Sequence, residues 1–199
     1  NTIKGKTISR SPAEMFTNEM GRTVTGLCEA GNFIYITTYG LRNPIRYYPD
    51  KNKYLSVHDG GLNYPNYSFS GYLSSGGDTL FSNISTGVRI LKKNGQIVQA
   101  DTLGQVFNTT EDKRGDLWIA AWSYQNMKFE GGIFRYDGKE FQNFKSAFEI
   151  SDNQIWTVFY DKDQDILWIG TINEGLFKIP FSSIIYFPPA FFQLSSNKI

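Results

Sequence analysis

The stretches "GDLWIAAWSYQNMKFEGGIFRYDG" (115–138) and "DILWIGTINEGLFKIP" (165–180) are two spellings of one phrase. Each opens on an acidic turn leading into an apolar triplet centred on Trp, Leu117-Trp118-Ile119 and Leu167-Trp168-Ile169. Each continues through a glycine into two apolar residues and a basic one, Ile133-Phe134-Arg135 and Leu176-Phe177-Lys178. Two looser spellings lie upstream, "FIYITTYGLRNPIRYY" (33–48) and "DTLFSNISTGVRIL" (78–91). Aligned on Tyr35, Leu80, Trp118 and Trp168, the four copies are 45, 38 and 50 residues apart. Self-similarity at a period of about 20–50 residues marks a chain of stacked supersecondary units, so it takes precedence over any single motif.

Each copy has the same surroundings. An apolar segment precedes it: "TVTGLCEA" (23–30), "NYSFSGYL" (66–73), "QVFNTTED" (105–112) and "QIWTVFYD" (154–161). A polar turn, the aromatic strand, a short loop, a third strand, a second polar turn and a ragged fourth strand complete the unit. The second turns are "YPDKNKY" (48–54), "KKNGQ" (92–96) and "YDGKE" (136–140). Asn-Gly and Asp-Gly are the pairs that reach positive φ in tight hairpins. Four short antiparallel strands repeated every ~40–50 residues spell a β-propeller blade. The apolar triplets agree, because a blade lies between two neighbours and its second strand is buried on both faces. The expected fold class is all-β, with about four blades of four antiparallel strands. Unrelated strands packed as a sandwich would not repeat the phrase.

The repeat sets the expected boundaries. Outer strands of a preceding blade fall in 1–22, blades in 23–62, 63–104, 105–149 and 150–190, and the start of a further repeat in 191–199. The last assignment rests on "ISDNQI" (150–155), which aligns with "LSSNKI" (194–199). The chain is thus expected to be a segment of a larger propeller. About four blades is the lower limit for a closed ring. An open stack leaves a flat blade face and strand edges uncovered, so neighbouring blades or a second copy of the chain (a homodimer) are expected partners.

Composition agrees and excludes other classes. In 199 residues, 20 basic and 19 acidic side chains leave a net charge of +1, without the basic surplus that nucleic acid requires. Aromatics make up 16% beside 19 Gly, the profile of short strands and turns. The single Cys28 cannot form an internal disulfide. The densest apolar run, "SSIIYFPPAFF" (182–192), is short and broken by two prolines, so membrane attachment is expected only through segments outside the chain.

The phrases "EDKRGDLWIA…GGIFRYDGKEF" and "YDKDQDILWIGTINEGLFKI", the second reached through "SDNQI", resemble the two-component regulator propeller repeat. The likeness is specific over about 105–180 and looser over 23–100, where "FIYITTYG" and "TLFSNISTG" keep the pattern without Trp. After Lys178 the chain departs from it, with no Asp-Gly turn before "SSIIYFPP". The resemblance implies the periplasmic sensor region of hybrid two-component systems from polysaccharide-degrading bacteria, so a periplasmic or extracellular location is expected. It implies input by binding an extracellular ligand, often an oligosaccharide, with no cofactor, metal or catalytic residues in this chain. The kinase would lie elsewhere, since the chain has no kinase histidine box, ATP-binding glycine box or phospho-acceptor domain.

Single residues that invite chemistry have plainer readings. His58, the only histidine, would need a nucleophile and an orienting acid, and the adjacent Asp59-Gly60-Gly61 reads as a blade-connecting turn. "DKDQD" (161–165) has the alternating carboxylates of a calcium loop. A hand-type loop needs Gly sixth and Glu twelfth, where this chain has Ile166 and Ile172. The segment reads instead as a hairpin turn equivalent to "EDKRGD" (111–116). Glu111, Asp112, Asp116, Glu130 and Glu174 are the carboxylates a glycosidase or lyase would draw on, but most occupy repeated turn positions. Trp118, Trp156 and Trp168 sit in apolar strands and are expected in the core.

One segment is particular to its copy. Trp118 and Gly132 are 14 residues apart, whereas Trp168 to Gly175 and Leu80 to Gly87 are 7 each. The third copy therefore carries seven extra residues within "AWSYQNMKFEG" (121–131). They fall between the second and third strands, on the face expected to carry the blade-to-blade connections. Binding concentrates on such loops. Trp122 and Tyr124 offer faces for a sugar ring, while Gln125, Asn126 and Lys128 offer hydrogen bonds. Tyr39, Arg42, Asn43, Asn83 and Ser85, then Asp152, Asn153, Asn173 and Glu174, come from other loops expected on this face. Alternatively, Trp122 and Met127 fold back as a hydrophobic plug. The expected function is a ligand-sensing module that recognises an oligosaccharide. The alternatives are a structural or protein-interaction propeller, and a propeller-type polysaccharide lyase or glycosidase.

Overall fold

Each repeat folds as an antiparallel meander in a computed structural model that describes residues 2–3, 6–7, 23–39, 44–56, 68–83, 87–123 and 128–181. A short hairpin of β1 (Thr2–Ile3) and β2 (Lys6–Thr7) comes first. The first sheet holds β3 (Thr23–Ala30), β4 (Phe33–Tyr39), β5 (Ile45–Tyr48) and β6 (Lys53–Ser56), in that spatial order. The second holds β7 (Ser68–Leu73), β8 (Thr79–Asn83), β9 (Gly87–Leu91) and β10 (Ile97–Ala100). The third holds β11 (Gln105–Glu111), β12 (Leu117–Trp122), β13 (Gly132–Tyr136) and β14 (Phe141–Asn143). The fourth holds β15 (Ile155–Asp161), β16 (Ile166–Thr171) and β17 (Leu176–Pro180). Every pairing is antiparallel and sequential, so each sheet is a blade of a partial β-propeller. Most of 1–22 and all of 182–199, to which outer strands and the start of a further repeat were assigned, lie outside the described residues.

The apolar triplets are explained by what lies on either side of them. In β12, Leu117, Ile119 and Ala121 join a cluster with Leu80, Val88 and Ile90 of the second sheet. Trp118 and Ala120 point the other way and join Ile155, Val158, Leu167 and Ile169 of the fourth. All five β12 residues are at most 3% exposed, and burying each large one contributes about 1.5–3 kcal/mol. A smaller cluster of Cys28, Ala30, Tyr35 and Phe81 joins the first two sheets.

The acidic turn and the Trp that follows it form one unit. The Trp118 indole N–H donates to Asp112 Oδ2 at 3.0 Å. The other oxygen of that carboxylate accepts the backbone N–H groups of Arg114 (2.8 Å) and Asp116 (3.1 Å). Polar side chains also fasten one blade to the next. Asn108 Oδ1 accepts the Val158 N–H at 2.8 Å, Thr110 Oγ1 accepts that of Tyr160 at 3.3 Å, and Thr37 Oγ1 donates to the Phe69 carbonyl at 2.9 Å. Buried Glu111 accepts the Ser75 N–H (3.0 and 2.8 Å) and Ser75 Oγ–H (2.7 Å), tying the β7–β8 turn to the third sheet.

Removing that clamp should be costly. Glu111→Ala is expected to lower unfolding stability by about 1.5–3 kcal/mol, the range for hydrogen bonds to a charged group. Glu111→Gln should lose less. Urea midpoints for the three proteins check this, and an unchanged midpoint for the alanine variant would refute the clamp.

Candidate functional site

The connections between blades and the inserted loop meet at one end of the stack. Trp122, the last residue of β12, is opposite Gln105 and forms a bridge to Gln154 just ahead of β15. Beyond it the Ser123 N–H donates to the Asn153 carbonyl (3.0 Å), and Ser123 Oγ–H to the Phe129 carbonyl (2.8 Å). On the returning side, the N–H groups of Glu130 and Gly131 donate to the carbonyls of Thr102 (3.2 Å) and Leu103 (3.0 Å). The loop base is therefore stitched to both neighbouring connections. The fit requires glycine at two points. Gly131 has φ 63°, and an added Cβ would lie 2.9 Å from Ser123 N and against the Asn153 carbonyl. Gly104 has φ 117°, with the Trp122 carbonyl 2.6 Å from the same point.

Four aromatic rings lie beside this loop. Phe107 stacks on Trp156 (4.5 Å, 25°), Trp122 is 5.5 Å from each of them, and Phe69 meets Phe107 edge-on at 5.3 Å. Trp156, expected in the core, is 45% exposed, whereas Trp118 is 0% exposed. The cause is local: register breaks between Ile155 and Thr157, so Trp156 leaves the alternation that buries its neighbours. Phe69, Phe107 and Trp156 were not picked out from sequence as site residues. The available signal was an aromatic at the same place in three of the four first strands, "SFS", "VFN" and "IWT".

Of the residues expected to bind ligand, Trp122 is half-buried and Lys128 is exposed. Asn173 is tied to the Trp122 region through Gln154. Its Nδ2 donates to Gln154 Oε1 (3.4 Å), and both its backbone N–H (2.8 Å) and Nδ2 (3.2 Å) donate to Asp152 Oδ2. Glu174 accepts the Ser151 N–H at 3.1 Å, and Lys145 pairs with Asn153. Tyr39 and Asn83 end their strands β4 and β8 on the loop side. Tyr124, Gln125, Asn126 and Met127 lie outside the described residues, as do Arg42, Asn43, Ser85 and His58. A cleft of about 670 Å³ opens between the second and third sheets, lined in part by Asp101, Thr102, Glu130 and Asn143. Asp101 there pairs with Arg89, and Glu130 accepts from Asn143 Nδ2 at 3.4 Å.

Carboxylates at the opposite end serve the turns. Arg135 Nε donates to Asp116 Oδ2 at 2.7 Å. Burial pushes Asp116 above its ordinary value, aided by the Asp112 charge and opposed by Arg135 and Arg114. Burial acts on Asp78 in the same direction, but hydrogen bonds from Lys92 and the Lys93 N–H hold it below its ordinary value. In "DKDQD", Asp161 Oδ1 accepts the N–H groups of Asp163 and Gln164 at 3.0 Å, as a hairpin turn does. Among the described residues, no three His, Cys, Asp or Glu side chains are grouped to hold a metal ion. No described helix is long and apolar enough to cross a membrane, which says nothing of β-barrels.

Residues 149–173 match the family model described as "Two component regulator propeller", so the fourth copy carries that repeat, as the resemblance implied. The third copy, with its matching phrase, lies outside the matched residues. No match is found among curated proteins. Similar solved structures include the extracellular domain of a hybrid two-component system from B. thetaiotaomicron (TM-score 0.63, 18% identity, 80% of this chain and 21% of that one). Others are hydrazine synthase from Kuenenia stuttgartiensis (TM-score 0.61, 11% identity, 92% and 50%) and the type-IX secretion component PorZ of Porphyromonas gingivalis (TM-score 0.59, 14% identity, 88% and 28%). At these identities the likeness is one of fold, a partial propeller, and the chain spans about a fifth of the length of that extracellular domain. An extracellular domain of a two-component system, an enzyme and a secretion component share that fold, so the fold assigns no activity by itself.

The loop base provides a direct test of the geometry. Gly131→Ala should lower stability by at least about 1 kcal/mol, since it adds a Cβ at positive φ against two backbone groups. A melting temperature equal to that of the unaltered chain would contradict the stitched loop.

Proposed function

We propose that this chain is part of the sensor region of a two-component system, that it recognises an oligosaccharide outside the cytoplasm, and that it relays occupancy to a kinase beyond the chain. The observation that carries this reading is the two-component regulator repeat at 149–173, whose blade also contributes Trp156 to the aromatic surface beside the inserted loop. Aromatic faces flanked by amides suit flat, hydroxyl-rich ligands. Relay requires only that the ligand bind one arrangement of the sensor region more tightly than another. A broad glycan panel tests it by thermal shift: ligand at about 100 times Kd stabilises by about 2.7 kcal/mol. At least one glycan is expected to raise Tm, and Trp122→Ala should remove the rise while the variant stays folded. No rise across the panel would refute the reading.

One observation favours a second reading, a blade face that docks protein. Phe159 (60% exposed) and Leu176 (66% exposed) stand in the fourth sheet where the third has Thr110 and Ile133, both on the side packed against the next blade. An uncovered face of this kind invites another blade or a second copy. Light scattering should then show association that grows with concentration and is abolished by Leu176→Lys. A monomer at all concentrations would exclude self-association.

A further inference from the structure

The first strand of every sheet breaks register once, toward the loop end. The residue left over is Thr25 in β3, Phe107 in β11 and Trp156 in β15. In β7 the break falls between Ser68 and Gly71. The Ser70 N–H donates to Ser82 Oγ across the strands at 2.8 Å, which leaves Phe69 as the extra residue there. A bulge re-aims a side chain out of the alternation that packs its neighbours, and bulges gather beside functional sites. Here three successive bulges carry aromatics, and the rings meet across blades: Phe69 to Phe107 at 5.3 Å, Phe107 to Trp156 at 4.5 Å. The row is not sealed over among the described residues, since Phe69 and Phe107 are half-buried and Trp156 is exposed.

We infer that this row is a stacking platform for a neutral carbohydrate chain, with the exposed ring of Trp156 as its contact and Phe107 stacked behind it; the inference rests on the oligosaccharide reading above. Pyranose rings carry an apolar C–H face and a rim of hydroxyls, and the row offers a partner for each. The residues following the three aromatic bulges are Ser70, Asn108 and Thr157, of which Ser70 and Asn108 are half-buried and Thr157 is exposed. Each is a hydroxyl or an amide with hydrogen-bonding capacity left over. A wholly apolar partner would leave these groups unmatched on desolvation. None of the three is charged, so a polyanionic glycan finds no counter-ion at these positions.

The probes are cello-, xylo- and malto-oligosaccharides, with oligogalacturonate as the charged comparison. The protein carries 5-fluorotryptophan, so each of its four Trp residues gives a fluorine signal. A neutral glycan is expected to shift the Trp156 signal and leave that of buried Trp118 in place. Trp156→Ala should weaken binding about tenfold, the scale of losing one stacked ring, and Trp156→Phe should restore most of it. If the alanine variant does not fold, the fluorine shifts and Trp156→Phe decide. A neutral glycan that binds with the Trp156 signal unmoved, or binds Trp156→Ala as tightly as the parent, overturns the platform and leaves the sensor reading standing. Preference for oligogalacturonate overturns the neutral ligand. Failure of every glycan to bind the unaltered chain overturns both readings.

Discussion

A strand buried on both faces has no polar side to offer water, and everything else in this molecule is arranged around that condition in β12. Its odd-numbered residues face the second sheet and its even-numbered ones face the fourth. The strand is therefore stable only between two neighbours, and neighbours can be supplied only by repetition. The same condition accounts for Asp112. An indole buried on both sides still carries an N–H, and a carboxylate from the preceding turn accepts it without exposing the ring. At the end of the described stack the condition relaxes, and Phe159 and Leu176 reach solvent.

The two ends of the blades divide the work. At the turn end, Asp112, Asp116 and Asp161 spend their oxygens on backbone N–H groups and Arg135, and Glu111 spends its own on Ser75 of the preceding blade, so these carboxylates serve the hairpins and the packing of blades. At the other end the connections differ in length from blade to blade. There the bulges turn Phe69, Phe107 and Trp156 out of the packed faces. A rigid scaffold below and varied loops above is the usual division in proteins that bind at one face.

Trp156 shows where sequence and structure part. Its apolar neighbours place it in a buried strand, and Ile155 and Val158 are buried as that pattern requires. The bulge that exposes it depends on an unequal count of residues between two paired strands, which no alternation within one strand records. Asn173 and Glu174 illustrate the reverse case. Their place in a loop was legible, but their bonds to Asp152 and Ser151 show them also holding that loop in shape. The loop after Trp122 is legible by counting an insertion, because a length difference between copies of one phrase survives without coordinates.

The amino-acid sequence alone determined the blade, its strands and turns, the family likeness of the fourth copy and the loop that breaks the repeat. These are local or periodic properties, written in spacing and in residues that reach particular backbone angles. Only the tertiary structure decided which faces of β12 meet which sheet, that Glu111 of one blade clamps Ser75 of another, and that three bulged aromatics from three blades form one surface. Each of those depends on residues far apart in the chain becoming neighbours, and the distance between Phe69 and Trp156 is set by how blades pack.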